Sequence, residues 1–191
     1  MQTTTVFLVL VALCVGSFLL GRKRSQVLAM RLGSLSSLHS LPKHYGYMAA
    51  AWAAIPAILL LLLWIGFESN TLYTLVISGL PESIQQQPAD ELGLYYNQIQ
   101  GYARGAIDSA QLDEVQLQAA HHYGQLATTS RQLKALLVIL VAITGALLAL
   151  RRISPLLRAR NHVEKLIEWL LFCSSFIAVM TTLGIVISVV F

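Results

Sequence analysis

Charge is what this sequence has least of. Asp, Glu, Lys and Arg make up 12% of its 191 residues, against about 25% in a usual soluble domain, while 56% are hydrophobic. So few charges cannot cover a soluble surface, and the composition is that of a membrane protein. Cysteine is nearly absent. Cys14 and Cys173 both lie inside apolar runs with no CxxC or Cys/His spacing around them, which excludes a cysteine-based zinc or dithiol centre and leaves two small packing residues. Stretches of the GxSxG, HExxH and Walker A kinds are missing as well. No acid stands well inside an apolar run; Glu168 comes nearest, at the mouth of the last run beside Trp169. A charge at a helix centre costs about 2.5 to 3.5 kcal/mol on insertion scales, so a functional one would stand out. These absences argue against acid–base, nucleophilic and metal chemistry and predict a protein that is not an enzyme and carries no cofactor. The formal charge is +4, but the cations cluster between apolar runs, which argues against a nucleic-acid partner.

What is present is four apolar runs, at 4–21, 47–67, 133–150 and 167–191. About 20 apolar residues cross a bilayer core of about 30 Å, so each predicts a transmembrane helix. The first is short and N-terminal, but RKR follows it instead of preceding it, which predicts a retained helix rather than a signal peptide. Residues 22–46 carry Arg22, Lys23, Arg24, Arg31 and Lys43 and no acid. The third connector carries Arg151, Arg152, Arg158, Arg160 and Lys165 against Glu164 alone. These ten cations set the topology: both connectors belong in the cytoplasm. Residues 68–132 hold Arg104 and Arg131 against Glu68, Glu82, Asp90, Glu91, Asp108, Asp113 and Glu114, so they and both termini belong outside. The first connector has a second reading, as an interfacial helix with Leu28, Leu32, Leu35 and Leu38 along one side.

The outer segment is expected to be helical. Leu112, Val115, Ala119, His122, Leu126, Thr129 and Leu133 recur at alternating spacings of three and four, the pattern of a packed seam. With Asp108 or Ser109 as cap, this predicts one continuous helix from about Ala110 to Leu150, about 60 Å long at 1.5 Å per residue. Its expected partner is the stretch 90–102, through Leu92, Tyr95 or Tyr96, Ile99, and Tyr102 or Ala103, punctuated by Gly101 and Gly105. Upstream, TLYTLVISGL prolongs the second membrane helix until LPESIQQQP breaks it. The expected fold class is therefore an all-α integral membrane protein, with four transmembrane helices and a small external bundle of about three helices between the second and third. His121 and His122 are adjacent, point about 100° apart on a helix and cannot both bind one metal from the same face; one is expected in the seam and one in solvent.

Two stretches inside the membrane runs carry information of another kind. In CSSFIAVMTTLGIVIS, Ser174, Ala178 and Thr182 repeat every four residues and predict a helix-packing face. In LHSLPKHYGYMAAAWAAIPA, Lys43 and His44 mark the cytoplasmic edge, Tyr45, Tyr47 and Trp52 suit an interfacial belt, and the alanines from Ala49 to Ala57 permit close helix contact.

GRKR, then LHSLPKHYGYMAAAWAAIPAILLLLLW, then LRARNHVEKLIEWLLFCSSFIAVMTTLGIVISVVF resembles the N-terminal region of the longer PstC-type permease subunits of bacterial phosphate ABC transporters. The resemblance covers essentially the whole chain and is most specific at 38–56 and 158–191. It implies an accessory N-terminal membrane domain at 1–157 and the start of the permease core at 158–191. Nothing in the chain matches the cytoplasmic loop by which such permeases dock their ATPase, so a delimited piece of a larger subunit is expected, and no phosphate-binding residues carry over. The implied partners are the lipid bilayer, the rest of the permease, a second permease subunit, the ATPase subunit and the periplasmic phosphate-binding protein. The implied location is the bacterial inner membrane, with the N-terminus and residues 68–132 periplasmic. The resemblance thus predicts a non-catalytic accessory or regulatory domain of a phosphate importer. The rival is a transmembrane sensory input domain, which is also built as an external helical bundle between membrane helices.

Overall fold

The computed structural model describes residues 3–31, 40–108, 113–154 and 157–190. Among them all regular structure is helical: α1 (Thr3–Arg31), α2 (Pro42–Ser78), α3 (Glu82–Gln85), α4 (Ala89–Ala103), α5 (Glu114–Arg152) and α6 (Ala159–Val190). Four of these, α1, α2, α5 and α6, are long and apolar enough to cross a membrane. With 37 and 39 residues, α2 and α5 reach about 55 to 60 Å, nearly twice a bilayer core. Their apolar runs fill the first half of α2 and the second half of α5.

Local chemistry sets the ends. Pro42 opens α2, where a missing N–H costs nothing, and α3 and α4 each follow a proline with a φ fit for helix entry, Pro81 at −56° and Pro88 at −54°. At the start of α5 the Gln116 side chain reaches back to the Asp113 backbone N–H at 3.0 Å, half of a capping box. The cap is therefore five residues beyond the expected Asp108, because Gln116 satisfies the N-terminal donor there. The helix then runs unbroken through Arg152, as the missing Gly-Pro break predicted. Ser109, Ala110, Leu112, Leu32, Leu35, Leu38 and the Arg31 side chain lie outside the described residues.

The chain divides into two compact units, residues 1–10 with 56–141, and residues 11–55 with 142–191. In the first, Leu72 and Val76 of α2, Tyr96 and Ile99 of α4, and Ala120, Tyr123 and Ala127 of α5 form the core. Three tyrosines run through it edge to face, Tyr73 to Tyr96 at 5.0 Å and Tyr96 to Tyr123 at 6.0 Å between centroids. The open choice on α4 resolves to Tyr96, with Tyr95 only half-buried. The register expected for α5 is off by one position. The buried stripe is Gln116, Ala120, Tyr123, Ala127 and Lys134; Val115, His122, Thr129 and Leu133 are exposed, and Ala119 and Leu126 flank the core. Both long polar members of the stripe are buried because each has a partner: Gln116 donates to Gln98 at 2.8 Å, and Lys134 is described below.

In the second unit, Tyr45 and Met48 of α2, Ile153 after α5, and Ala159 of α6 cluster, with Leu28, Leu150, Leu157 and Val163 against them. Small residues let the helices approach. The Ala49 side chain and the Tyr45 carbonyl oxygen would each lie 2.9 Å from a Cβ added at Gly21. A Cβ at Gly145 would collide with the Trp52 carbonyl oxygen. The Tyr45 hydroxyl donates to the Leu157 carbonyl oxygen at 2.9 Å, and the Arg160 N–H donates to Ser40 Oγ at 3.3 Å. From Ile167 to Val190 the helix α6 is exposed along its whole length.

Candidate functional site

The polar centre of the first unit is assembled from two pairs of residues one helical turn apart, Trp64 and Glu68 on α2, and Ser130 and Lys134 on α5. That spacing places each pair on one face of its helix. The Trp64 indole N–H donates to Ser130 Oγ at 3.2 Å, and the Ser130 hydroxyl donates to Glu68 Oε1 at 2.6 Å. The Lys134 ammonium completes the chain at 2.7 Å from Glu68 Oε2, its side chain only 3% exposed and that of Glu68 19%. Both carboxylate oxygens thus have a donor and the buried cation has its counter-ion, the condition for holding such a pair away from water. The network ties α2 to α5 through four side chains.

Beside it lies a cavity of about 250 Å³, lined by Glu68, Arg104, Arg131, Lys134, Tyr96 and Tyr123 among others. Arg104 is brought there by the way α4 ends. Gly105 adopts φ +75°, its N–H donates to the Tyr102 carbonyl at 2.8 Å, and the Ala106 N–H donates to the Gly101 carbonyl at 2.9 Å. This is a Schellman motif, closed by Ile107 packing over Gly101. Tyr123 accepts a hydrogen bond from Gln100 Nε2 at 3.1 Å. The Tyr96 hydroxyl is buried and has no hydrogen-bond partner among the described residues. Burial, reinforced by Tyr123 and opposed by Arg104, raises the Tyr96 phenol above its ordinary value.

The charged residues divide between the two units. Residues 1–10 with 56–141 hold seven acids against three Lys/Arg, whereas residues 11–55 with 142–191 hold ten Lys/Arg against two acids. All ten cations expected to set topology are in the second unit. Arg22, Lys23 and Arg24 are exposed on α1, Lys43 on the first turn of α2, and Arg151 and Arg152 on the last turn of α5, with the Arg152 guanidinium 5.5 Å from the Trp52 ring centroid. Arg31 ends α1. Arg158, Arg160 and Lys165 are exposed, and Arg160 pairs with Glu164 at 2.6 Å. Ser174, Ala178 and Thr182 are exposed on α6. The two hydroxyls bond within their own helix, Ser174 to the Leu171 carbonyl at 2.9 Å and Thr182 to the Ala178 carbonyl at 2.8 Å. His121 and His122 are both exposed, so the histidine expected in the seam is not in it; the one-position shift of register puts Tyr123 there instead.

Sequence reasoning missed Lys134 and the role of Glu68. A signal for them existed: Glu68 directly follows the second apolar run and Lys134 is the second residue of the third, so opposite charges stand at the facing ends of two runs joined by residues 69–132.

No curated protein and no solved structure matches the chain. A family model described as phosphate ATP-binding cassette transporter does, over residues 6–181. With the match extending from within α1 to within α6, this chain belongs to the phosphate ATP-binding cassette transporter family.

Proposed function

We propose that the chain is a non-catalytic accessory domain of the permease subunit of a phosphate importer, lying in the bacterial inner membrane. Residues 1–157 form the accessory membrane domain and residues 158–191 begin the permease core. The family match is the observation that carries this reading. The charge distribution supports the orientation: the basic connectors 22–46 and 151–166 face the cytoplasm, and residues 68–132, with seven acids against Arg104 and Arg131, form the external bundle on the periplasmic side. Exposed residues of that bundle contact the periplasmic phosphate-binding protein or a neighbouring subunit. The exposed length of α6, with Ser174, Ala178 and Thr182 along one side, packs against further helices of the permease.

The test is removal of residues 1–157 from the full subunit in cells. Uptake, assembly or regulation of the transporter is expected to fail. If all three match those of the intact subunit, the accessory role is refuted. A photocrosslinker at Gln118, exposed on α5, is expected to capture the binding protein or a transporter subunit.

A further inference from the structure

Within the first unit a groove of about 460 Å³ runs between α2 and α5, walled by Leu63, Phe67, Leu72 and Leu75 of the one and Leu126 and Leu133 of the other. Its polar neighbours are already engaged. Trp64 donates to Ser130, Ser130 and Lys134 satisfy the two oxygens of Glu68, and the Thr71 hydroxyl donates to the Phe67 carbonyl at 2.9 Å. Thr129 brings the remaining side-chain hydroxyl of the wall. A groove whose polar atoms are paired offers its occupant apolar contact. Size decides what kind. From Leu60 to Leu75 the groove follows α2 for about 22 Å at 1.5 Å per residue, and its volume over that length leaves a channel about 5 Å across. An α-helix, about 10 to 12 Å across with its side chains, is twice too wide. A single hydrocarbon chain fits, since carbon atoms meet at about 3.5 to 4.0 Å.

The level of the groove identifies where such a chain comes from. The second apolar run ends at Phe67 and the third begins at Leu133, so the inner half of the groove lies in the lipid-facing surface. Yet the groove continues past both points to Leu75 and Leu126, two turns farther along each helix, and Leu75 there is 44% exposed. The apolar surface that meets lipid is thus carried about 11 Å beyond the bilayer core, where water covers it at a cost. We propose that this groove binds one acyl chain of a bilayer phospholipid raised out of its leaflet by that distance. The chain descends from Leu75 and Leu126 to Leu60, with its tip in the bilayer and its head group in water. Recognition is by the slenderness and length of the chain, not by the head group. The inference rests on α2 and α5 crossing the membrane and goes beyond the accessory role, because the lipid is held whether or not the domain supports a permease.

The full chain is placed in phosphatidylcholine nanodiscs containing an analogue with a photoreactive diazirine at the ester end of one acyl chain, and crosslinked residues are mapped by peptide mass spectrometry. Labelling is expected at 72–75 and at Leu126, beyond the level reached by lipid in the surrounding leaflet. Thr129→Trp fills the groove from its exposed wall and Leu75→Gln makes its outer end polar. Each is expected to lower that labelling about fivefold or more, roughly the worth of one or two methylenes of contact. Leu62→Trp, exposed on α2 outside the groove, is expected to leave it unchanged. In detergent, native mass spectrometry is expected to find one phospholipid retained, with dilauroyl phosphatidylcholine held several-fold less than dipalmitoyl because the shorter chain leaves the groove part-empty. Circular dichroism checks that the variants keep their helices, and the map of the unaltered chain decides the matter even where a variant fails to fold. Labelling confined to 47–68 and 132–150, whether from surrounding lipid alone or because a second copy covers the groove, overturns the proposal. So does outer labelling that both groove variants leave unchanged.

Discussion

The Lys134 ammonium and the Glu68 carboxylate, 66 positions apart in sequence, meet at 2.7 Å with the lysine almost wholly withdrawn from water. Removing one partner strands the other. Lys134→Met is expected to destabilise the chain by about 3 kcal/mol, the lower end for a broken buried pair, because Glu68 keeps the Ser130 hydroxyl and some solvent. The double variant Glu68→Gln with Lys134→Met is expected to recover much of that loss, with a coupling above about 1 kcal/mol. Detergent-denaturation curves of the four proteins measure it; additive losses would remove the pair as a cohesive element.

Gly145 and Gly184 both lie in long apolar helices but meet different surroundings. A methyl group at 145 runs into the Trp52 carbonyl oxygen, whereas one at 184 meets nothing within 4 Å. Gly145→Ala is therefore expected to cost about 1 to 3 kcal/mol through overpacking, while Gly184→Ala is neutral or slightly stabilising from helix propensity. Thermal unfolding of the two variants separates the cases, and equal shifts would contradict the close contact.

Tyr45→Phe tests the bond between the start of α2 and the segment before α6. The Leu157 carbonyl also accepts from the Ala159 N–H at 2.9 Å, so it is not orphaned when the phenol goes. The expected loss is only about 1 kcal/mol, the net worth of one hydrogen bond. Faster amide exchange in the first turn of α6 is the readout, and unchanged exchange there would count against the bond.

Alkaline pH should loosen α4 before it affects the membrane helices. Burial raises the Tyr96 phenol, and burial together with the Asp113 carboxylate raises Tyr95. The unfolded chain sheds these protons near pH 10, about the ordinary phenol value, whereas the folded chain holds them to higher pH. Their contribution to stability is therefore fully present below about pH 10 and is lost as pH rises through the folded values. Ultraviolet titration is expected to find a late tyrosinate phase, part of which disappears in Tyr96→Phe. A titration with all tyrosines at the ordinary value would contradict the burial.

The apolar runs made the four long helices legible, and Pro42 and the LPESIQQQP break made the ends of α2 so. What periodicity could not supply was the direction of the α5 face. Counting leucine and valine as inward chose Val115 and Leu133, yet both are exposed, while Ala120, Ala127 and the paired Lys134 turn in. In a protein of this composition an apolar side chain is at home outside, and helices meet where side chains are small or where a polar group has a partner. The ion pair was hidden for the same reason: a lone lysine at the edge of an apolar run reads as a boundary mark until its acid is seen across the gap. The basic cavity was harder still, since Arg104 and Arg131 counted in sequence only as a minority within an acidic segment.

The contact between Tyr45 and Leu157 has a mechanical consequence. Together with the Arg160 N–H on Ser40, it ties the stretch leading into α6 to the head of α2 at two points. Two separate bonds must break before the start of α6 can part from the start of α2.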